Sequence, residues 1–302
     1  MSTSAPGLKI ALFGTASRFS QLALQELAAQ WLVVAVVLPR PKRRWLRDAL
    51  PAIARMRWMR PLSPLERAAR ERKIPIIFAT GANEVTLTER LRSARPDLIC
   101  VATFPWRISL EITALASLGA INVHPSLLPR HRGPLPLFWT YHADDRTAGV
   151  TVHHVSQAFD AGDIILQERF PLPRAYPVAR LDEDVARRGA SLLLSTVERL
   201  ACGRAPRTVQ DERAATNAPW VRLGSPTVNF DEWDVERVWH FLAGLCPRFR
   251  EPLTDGAGRP ALYQAVTGFE RGASGTPGSI ETIDDGWRLH CRGGIVLLAN
   301  TA

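Results

Sequence analysis

The chain predicts an α/β protein: a parallel sheet covered by helices, followed by a small all-β region. Three observations carry this. Between residues 8 and 201, short apolar runs alternate with segments of helical spacing. Those runs are apolar throughout, as in strands buried on both faces. After residue 227 a single amphipathic segment gives way to short strands separated by Gly-rich turns, the pattern of a small barrel.

Leu8-Lys-Ile-Ala-Leu-Phe-Gly14 reads as a buried strand stopped by glycine. Ser20 to Gln30 places Leu22, Leu24, Leu27 and Ala28 at helical spacing. Trp31 to Leu38 is a β-branched run and a second strand, and Ile74 to Phe78 is a weaker third. Val85 to Ala94 is a helix, and Asp97 to Ala102 a fourth strand. Leu110 to Leu118 is helical, with Gly119 as its C-terminal stop. Ala120 to His124, Gly149 to His154 and Asp163 to Phe170 are further strands, and Leu181 to Ala201 is a long closing helix.

The pattern breaks between Gly203 and Ser225, where Ala205-Pro and Ala218-Pro bracket a polar stretch that reads as a surface linker. Val235 to Leu245 is amphipathic. Strands are expected at Ala261–Val266, Gly278–Ile283, Trp287–Cys291 and Gly294–Leu298. The expected division is therefore a domain at 1–204, a linker at 205–226 and a small β-barrel of OB-like type at 227–302.

The chain has 302 residues, of which 46% are hydrophobic, enough for one large core or two domains. No run approaches the length of a membrane span, and Met1 to Gly7 lacks the pattern of a secretory signal. Cys100, Cys202, Cys246 and Cys291 form no CxxC pair and lie in or beside apolar sequence. Buried free thiols in a reducing cytoplasm are expected, with no metal site. The net charge is +9, and it is local. Arg40 to Lys73 holds twelve Lys and Arg against three acids, a balance of 12 − 3 = +9. From Thr227 onward seven Arg stand against ten acids, 7 − 10 = −3.

Asn122-Val-His124-Pro-Ser-Leu-Leu-Pro129-Arg-His-Arg-Gly133-Pro is the most informative stretch. Two residues apart on an extended backbone, Asn122 and His124 share a face. They sit at the carboxyl end of a strand, where parallel sheets bind ligands. The plain alternative is a polar strand end whose imidazole satisfies a backbone carbonyl. Phe159-Asp160-Ala-Gly162-Asp163 reads as a turn between strands, and an Asx-turn explains it without any chemistry. The sequence alone does not bring Asp160 to His124. No cysteine has a motif that marks a nucleophile, and Gly14 stands without the GxGxxG of a dinucleotide site.

These motifs together resemble the formyltransferase family that uses 10-formyltetrahydrofolate. They are Asn-Val-His-Pro-Ser-Leu-Leu-Pro at 122–129, Arg-x-Arg-Gly at 130–133 and Asp-Ala-Gly-Asp at 160–163. The resemblance runs from about Lys9 to Arg204 and implies a Rossmann-like formyltransferase domain. It implies Asn122, His124 and Asp160 as the catalytic trio. It places the folate on Trp106, Arg107, Ile108 and on Ser126, Leu127, Leu128 and Pro129. Phe104 to Ser109 resembles the folate-lining segment of the glycinamide-ribonucleotide member. The C-terminal part resembles, more loosely, the barrel appended in methionyl-tRNA formyltransferases. There are departures from the family pattern at His154 and Gln157, and at Pro39 to Arg47, which is basic without the Arg-Gly wording of the tRNA branch.

In this reading the Asn122 carboxamide donates to the formyl oxygen, and His124 stabilises charge and exchanges a proton. Asp160 orients the imidazole or relays the amine's proton through water. A tRNA acceptor is implied through the basic segment 40–73, whose Trp45, Met56, Trp58 and Met59 lie among arginines. A solvated helix with those side chains on the sheet, or an anionic membrane surface, are the alternatives there. The acidic C-terminal part opposes tRNA and keeps a small-molecule amine open as acceptor. Two further alternatives are a 10-formyltetrahydrofolate hydrolase, which retained Asn122 disfavours, and a non-enzymatic RNA-binding module, which the intact trio disfavours. A cytoplasmic monomer is expected.

Overall fold

The computed structural model describes residues 7–40, 62–81, 85–222, 224–272 and 274–300. Most of the basic run, with Trp45, Met56, Trp58 and Met59, lies outside the described residues. The first elements are β1 (Lys9–Gly14), α1 (Arg18–Gln30), β2 (Leu32–Pro39), α2 (Pro64–Glu71), β3 (Ile76–Ala79), α3 (Val85–Ala94) and β4 (Leu98–Ala102). There follow α4 (Leu110–Thr113), β5 (Ala120–His124), α5 (Pro136–His142), β6 (Thr147–His154), β7 (Ile164–Pro171) and α6 (Val178–Ala201). The C-terminal part adds α7 (Val235–Leu245), β8 (Ala265–Arg271), β9 (Ile280–Ile283), β10 (Gly286–Cys291) and β11 (Gly294–Ala299).

Strands β1 to β7 form one sheet in the order β3-β2-β1-β4-β5-β6-β7. β1 to β5 pair in parallel, but β6 runs antiparallel to β5. An apolar run reports burial on both faces and says nothing of strand direction, so the reversal at β6 departs from the expected parallel sheet. Alternate residues of β1 build the two faces. Ile10 and Leu12 join Leu24, Leu27, Leu65, Leu193 and Val197 in one core, while Ala11 and Phe13 join Val37, Leu91, Ile99 and Ile112 in another. Each such buried Leu or Ile contributes about 1.5–3 kcal/mol.

Helix starts follow local capping chemistry. Ser17 caps α1, Ser109 caps α4 and Asp234 caps α7. α2 sits in a strongly charged stretch that hides any apolar period. Ser63 and Glu66 make a reciprocal capping box there, with Pro64 in the first turn. Its Arg67, Arg70 and Arg72 are exposed, whereas Leu65, Ala68 and Ala69 are buried. α4 is shorter than the expected Leu110–Leu118 helix. After Thr113 the chain tightens into bonds from Leu115 to Ile112 and Ala116 to Thr113, and Gly119 ends the segment at φ 73°.

By contacts the chain forms two compact units that interleave along the sequence. One gathers Met1–Pro129, Val150–Glu168 and Val185–Ala215; the other gathers Arg130–Gly149, Arg169–Asp184 and Thr216–Ala302. This differs from a linear division at 204 and 226, because segments near α5 belong with the C-terminal residues. The cause is an aromatic cluster in the second unit. Phe138 of α5 meets Phe241 of α7 at 5.5 Å and Phe249 at 5.3 Å, and Trp233 meets Phe241 at 5.4 Å. α5 is seven residues long, too short to show an amphipathic period, and no helix is expected there from spacing.

The second unit also holds the four-stranded antiparallel sheet in the order β8-β11-β10-β9, the counterpart of the expected small barrel. Its first strand lies later than the expected Ala261–Val266. Tyr263 is fully buried in an irregular stretch, where its hydroxyl accepts from the Glu251 N–H at 2.9 Å, and the strand begins at Ala265. The segment expected as a linker is hydrogen-bonded. In the first unit Thr208 and Ile164 exchange backbone bonds at 2.8 and 2.9 Å, and in the second Thr216 and Ala218 bond the backbone of Arg132. All four cysteines are free, but only Cys100 and Cys291 are buried. Cys202 is exposed in the turn that ends α6, and Cys246 is half-buried at the end of α7. No described helix is long and apolar enough to cross a membrane.

Candidate active site

The geometry begins on β5, whose last residues include Asn122 and His124 on one face. His124 is buried to 4% and Asn122 is half-buried. The loop between β6 and β7 brings Asp160 to them. Its Oδ2 lies 3.6 Å from His124 Nδ1, and its Oδ1 accepts from Asn122 Nδ2 at 3.2 Å. The Asp160 side chain is 11% exposed. Sequence spacing left these residues apart; the fold places all three within direct reach.

Two local features hold Asp160 there. It adopts φ 52°, a left-handed conformation that aspartate tolerates better than most residues. Gly162 then passes so close to the neighbouring strand that a Cβ would stand 1.8 Å from the His154 carbonyl oxygen. Gln210, buried to 5%, donates from Nε2 to the carbonyls of Asp160 at 2.8 Å and Gly162 at 2.7 Å. Sequence reasoning missed Gln210, because it lies in the stretch taken for a linker.

His153 is the other residue missed. The β5–β6 register sets it directly opposite Asn122. It is 2% exposed, with Nε2 3.1 Å from Asn122 Nδ2 and 3.5 Å from Asp160 Oδ1. Its Nδ1 lies 2.9 Å from the His154 carbonyl oxygen, so Nδ1 carries the proton and donates. Antiparallel register, which no spacing within one strand reveals, is the signal that finds it. The next residue, His154, is held below the ordinary histidine range, first by burial and then by the charge of Arg207.

The loops expected to line a ligand leave the carboxyl ends of the adjacent parallel strands β4 and β5. Trp106 packs edge-on against Phe104 at 5.4 Å, and Phe104 against Phe13 at 5.1 Å. Arg107 is exposed and donates to the Gln157 carbonyl at 3.1 Å, tying this loop to the one that bears Asp160. Ile108 is buried to 5%, Ser126 to 2% and Leu128 to 3%. Thr151 fixes the second loop: its hydroxyl donates to the Ser126 carbonyl at 2.6 Å and accepts from Leu128 N–H at 3.2 Å. Gln167 donates to the Leu128 carbonyl at 2.9 Å, and the Leu128–Pro129 bond is cis. The loop therefore presents backbone and the half-exposed Leu127 and Pro129 rather than its buried side chains.

The arrangement is an amide donor, an imidazole and a carboxylate converging at a strand end, with an aromatic and apolar wall beside them. It suits addition to a carbonyl carbon, where an oxyanion must be stabilised and a proton moved. Among the described residues no group of three or more His, Cys, Asp or Glu is placed to hold a metal ion.

Comparison with known proteins agrees with that class. Residues 8–197 match the family model described as Formyl transferase. The methionyl-tRNA formyltransferase of Syntrophus aciditrophicus (strain SB) is 33% identical over 237 residues, covering 78% of this chain and 75% of that protein. The methionyl-tRNA formyltransferase of Moorella thermoacetica is 31% identical over 240 residues, covering 80% and 74%. Among solved structures, WlaRD, a sugar 3N-formyl transferase, matches with a TM-score of 0.69 over 98% of both chains at 14% identity, a likeness of fold. The chain belongs to the formyl transferase family, and it is a formyl-transferring enzyme.

Proposed function

We propose that this protein moves a formyl group from 10-formyltetrahydrofolate to the amino group of methionyl-tRNA. The observation that carries the chemistry is the meeting of Asn122, His124 and Asp160, with Asp160 Oδ2 3.6 Å from His124 Nδ1 and Oδ1 3.2 Å from Asn122 Nδ2. The relatives named above supply the acceptor.

The amine forms a new C–N bond to the formyl carbon, the carbonyl oxygen takes the electron pair, and collapse expels the folate nitrogen. Asn122 Nδ2 donates to that oxygen as it becomes negative, an interaction of about 3 kcal/mol in the transition state. His124, when protonated, adds its charge to the same oxygen and supplies a proton toward the leaving nitrogen. Asp160 aligns the imidazole through its Oδ2 and accepts the proton released by the attacking amine through water. No covalent bond to the enzyme is needed. The folate co-substrate fits the wall formed by Trp106, Arg107 and Ile108 and the backbone of Ser126 to Pro129, where an aromatic ring and a rigid loop flank the trio. Leu127 and Pro129 offer apolar contact there.

A second acceptor class has one observation in its favour. From Thr227 onward the chain carries a net −3, computed as seven Arg less ten acids, which repels a polyanion. An amino-sugar acceptor would be indifferent to it. The test is a formyl-transfer assay with one folate donor and two sets of acceptors, methionyl-tRNA and a panel of amino-sugars. Transfer to methionyl-tRNA, falling steeply as salt rises, is the expected result. Transfer confined to amino-sugars, insensitive to salt, replaces the acceptor and leaves the chemistry standing.

A further inference from the structure

We propose that His153 is a positioning residue that fixes which end of the Asn122 carboxamide faces the reacting atoms. This rests on the reading of Asn122 as the donor to the formyl oxygen.

A carboxamide has nearly the same shape either way round, so only its hydrogen-bond partners decide its orientation. The partners here are unequal. His153 Nδ1 is committed as donor to the His154 carbonyl at 2.9 Å, because a carbonyl only accepts. In the neutral ring this leaves Nε2 as a lone pair, 3.1 Å from Asn122 Nδ2. The carboxylate of Asp160, also only an acceptor, lies 3.2 Å from the same nitrogen. Turning the amide round would set Oδ1 against a ring lone pair and a carboxylate at once. Two hydrogen bonds would be replaced by two repulsions, so the amino end is held inward.

The two hydrogens of that amino group have different surroundings. One points to His153, which is 2% exposed and lies across the strand pair. The other points to Asp160, whose side chain is 11% exposed and lies on the side of His124. His153 thus anchors one N–H in the protein. The second is free to pass from the Asp160 carboxylate to the formyl oxygen as charge develops there. The anchor costs nothing in turnover, since it does not change during the reaction. Without it, Asp160 alone opposes the turned amide, and a larger share of the molecules present Oδ1 toward the substrate, which opposes an oxyanion.

The chain builds this anchor from its β5–β6 register, and keeps the ring in place from behind. The His154 carbonyl that accepts from Nδ1 is the one against which Gly162 is packed, where a Cβ would stand at 1.8 Å. The same tight crossing therefore sets the Asp160 turn and the tautomer of His153.

The test compares His153→Leu, His153→Gln and Asn122→Ala in formyl transfer from 10-formyltetrahydrofolate. His153→Leu should lower kcat by about 100-fold, the usual cost of a misplaced reacting group, with KM for the folate unchanged. His153→Gln, whose side-chain oxygen again accepts from Asn122, should restore most of that loss. Wild-type kcat in His153→Leu beside an inactive Asn122→Ala overturns the inference and leaves the active-site reading intact. A loss that His153→Gln does not restore, with KM rising in step, assigns His153 to the fold and overturns it too. Full activity in Asn122→Ala removes the active-site reading itself. If His153→Leu fails to fold, nitrogen NMR of the wild-type imidazole decides: Nδ1–H with a bare Nε2 is expected, and Nε2–H with a bare Nδ1 overturns it.

Discussion

His153 and His240 are two buried imidazoles, one in each compact unit, put to opposite uses. His153 donates from Nδ1 to the His154 carbonyl and accepts at Nε2 from Asn122. His240, on α7, does the reverse. Its Nδ1 accepts from the Ala175 N–H at 2.8 Å, so the proton sits on Nε2, where it finds no partner among the described residues. Its ring lies against Tyr141 at 5.2 Å. Burial lowers its pKa to about 4, and the charges of Arg174 and Arg146 add to that effect while Asp144 and Glu236 oppose it. The difference teaches where chemistry resides in this chain. An imidazole set among side chains that exchange hydrogen bonds serves a reaction. One locked to backbone and walled by rings serves packing.

That contrast breaks most visibly at Asp160. Asp160→Ala should remove the orientation of His124 and lower kcat by about 10³-fold, with a thermal melt close to wild type. Retained turnover in a folded Asp160→Ala would place the chemistry elsewhere. Gly162→Ala comes next. Its Cβ cannot fit 1.8 Å from the His154 oxygen, and backbone cannot yield as a side-chain tip does. A destabilisation of about 3 kcal/mol is expected in chemical unfolding, and a wild-type midpoint would show that the crossing relaxes freely.

His240 provides the pH arm of the comparison. Its folded pKa of about 4 lies below the 6.5 of a free histidine, so the unfolded chain binds the extra proton between those values. The stability it supports is complete above pH 6.5 and is lost as the pH falls toward 4. His240→Phe should flatten that part of a stability profile, and an unchanged slope would assign the titration to another group. The smallest effect expected is at Gln210. Gln210→Ala loses two bonds to the carbonyls of Asp160 and Gly162, at about 1 kcal/mol each, and should lower the melt by a few degrees and kcat by about tenfold, because the Asp160 turn loosens. An unchanged kcat beside the lowered melt would make Gln210 a residue of the fold.

Much of the sheet was legible because apolar runs and β-branched residues report burial directly. Val85–Ala94, Ala120–His124 and Val235–Leu245 fall where periodicity sets them. α2 was hidden by the charges around its capping box, and α5 by a length of seven residues that shows no period. Strand direction leaves no trace in an apolar run, so the reversal at β6 was not anticipated. In the site, the two-residue spacing of Asn122 and His124 was visible within one strand. Their meeting with Asp160 rests on a loop crossing that only Gly162 hints at. His153 and Gln210 depend on register and on long-range bonds from a stretch without pattern, and nothing local marks them.

The most direct measurement is tetrahydrofolate release from 10-formyltetrahydrofolate in the presence of methionyl-tRNA, by the wild-type protein and by Asn122→Ala, with both shown to be folded by their thermal melts. The account predicts acceptor-dependent release by the wild type and a loss of about 10²–10³-fold in Asn122→Ala. Equal rates in the two proteins would contradict it.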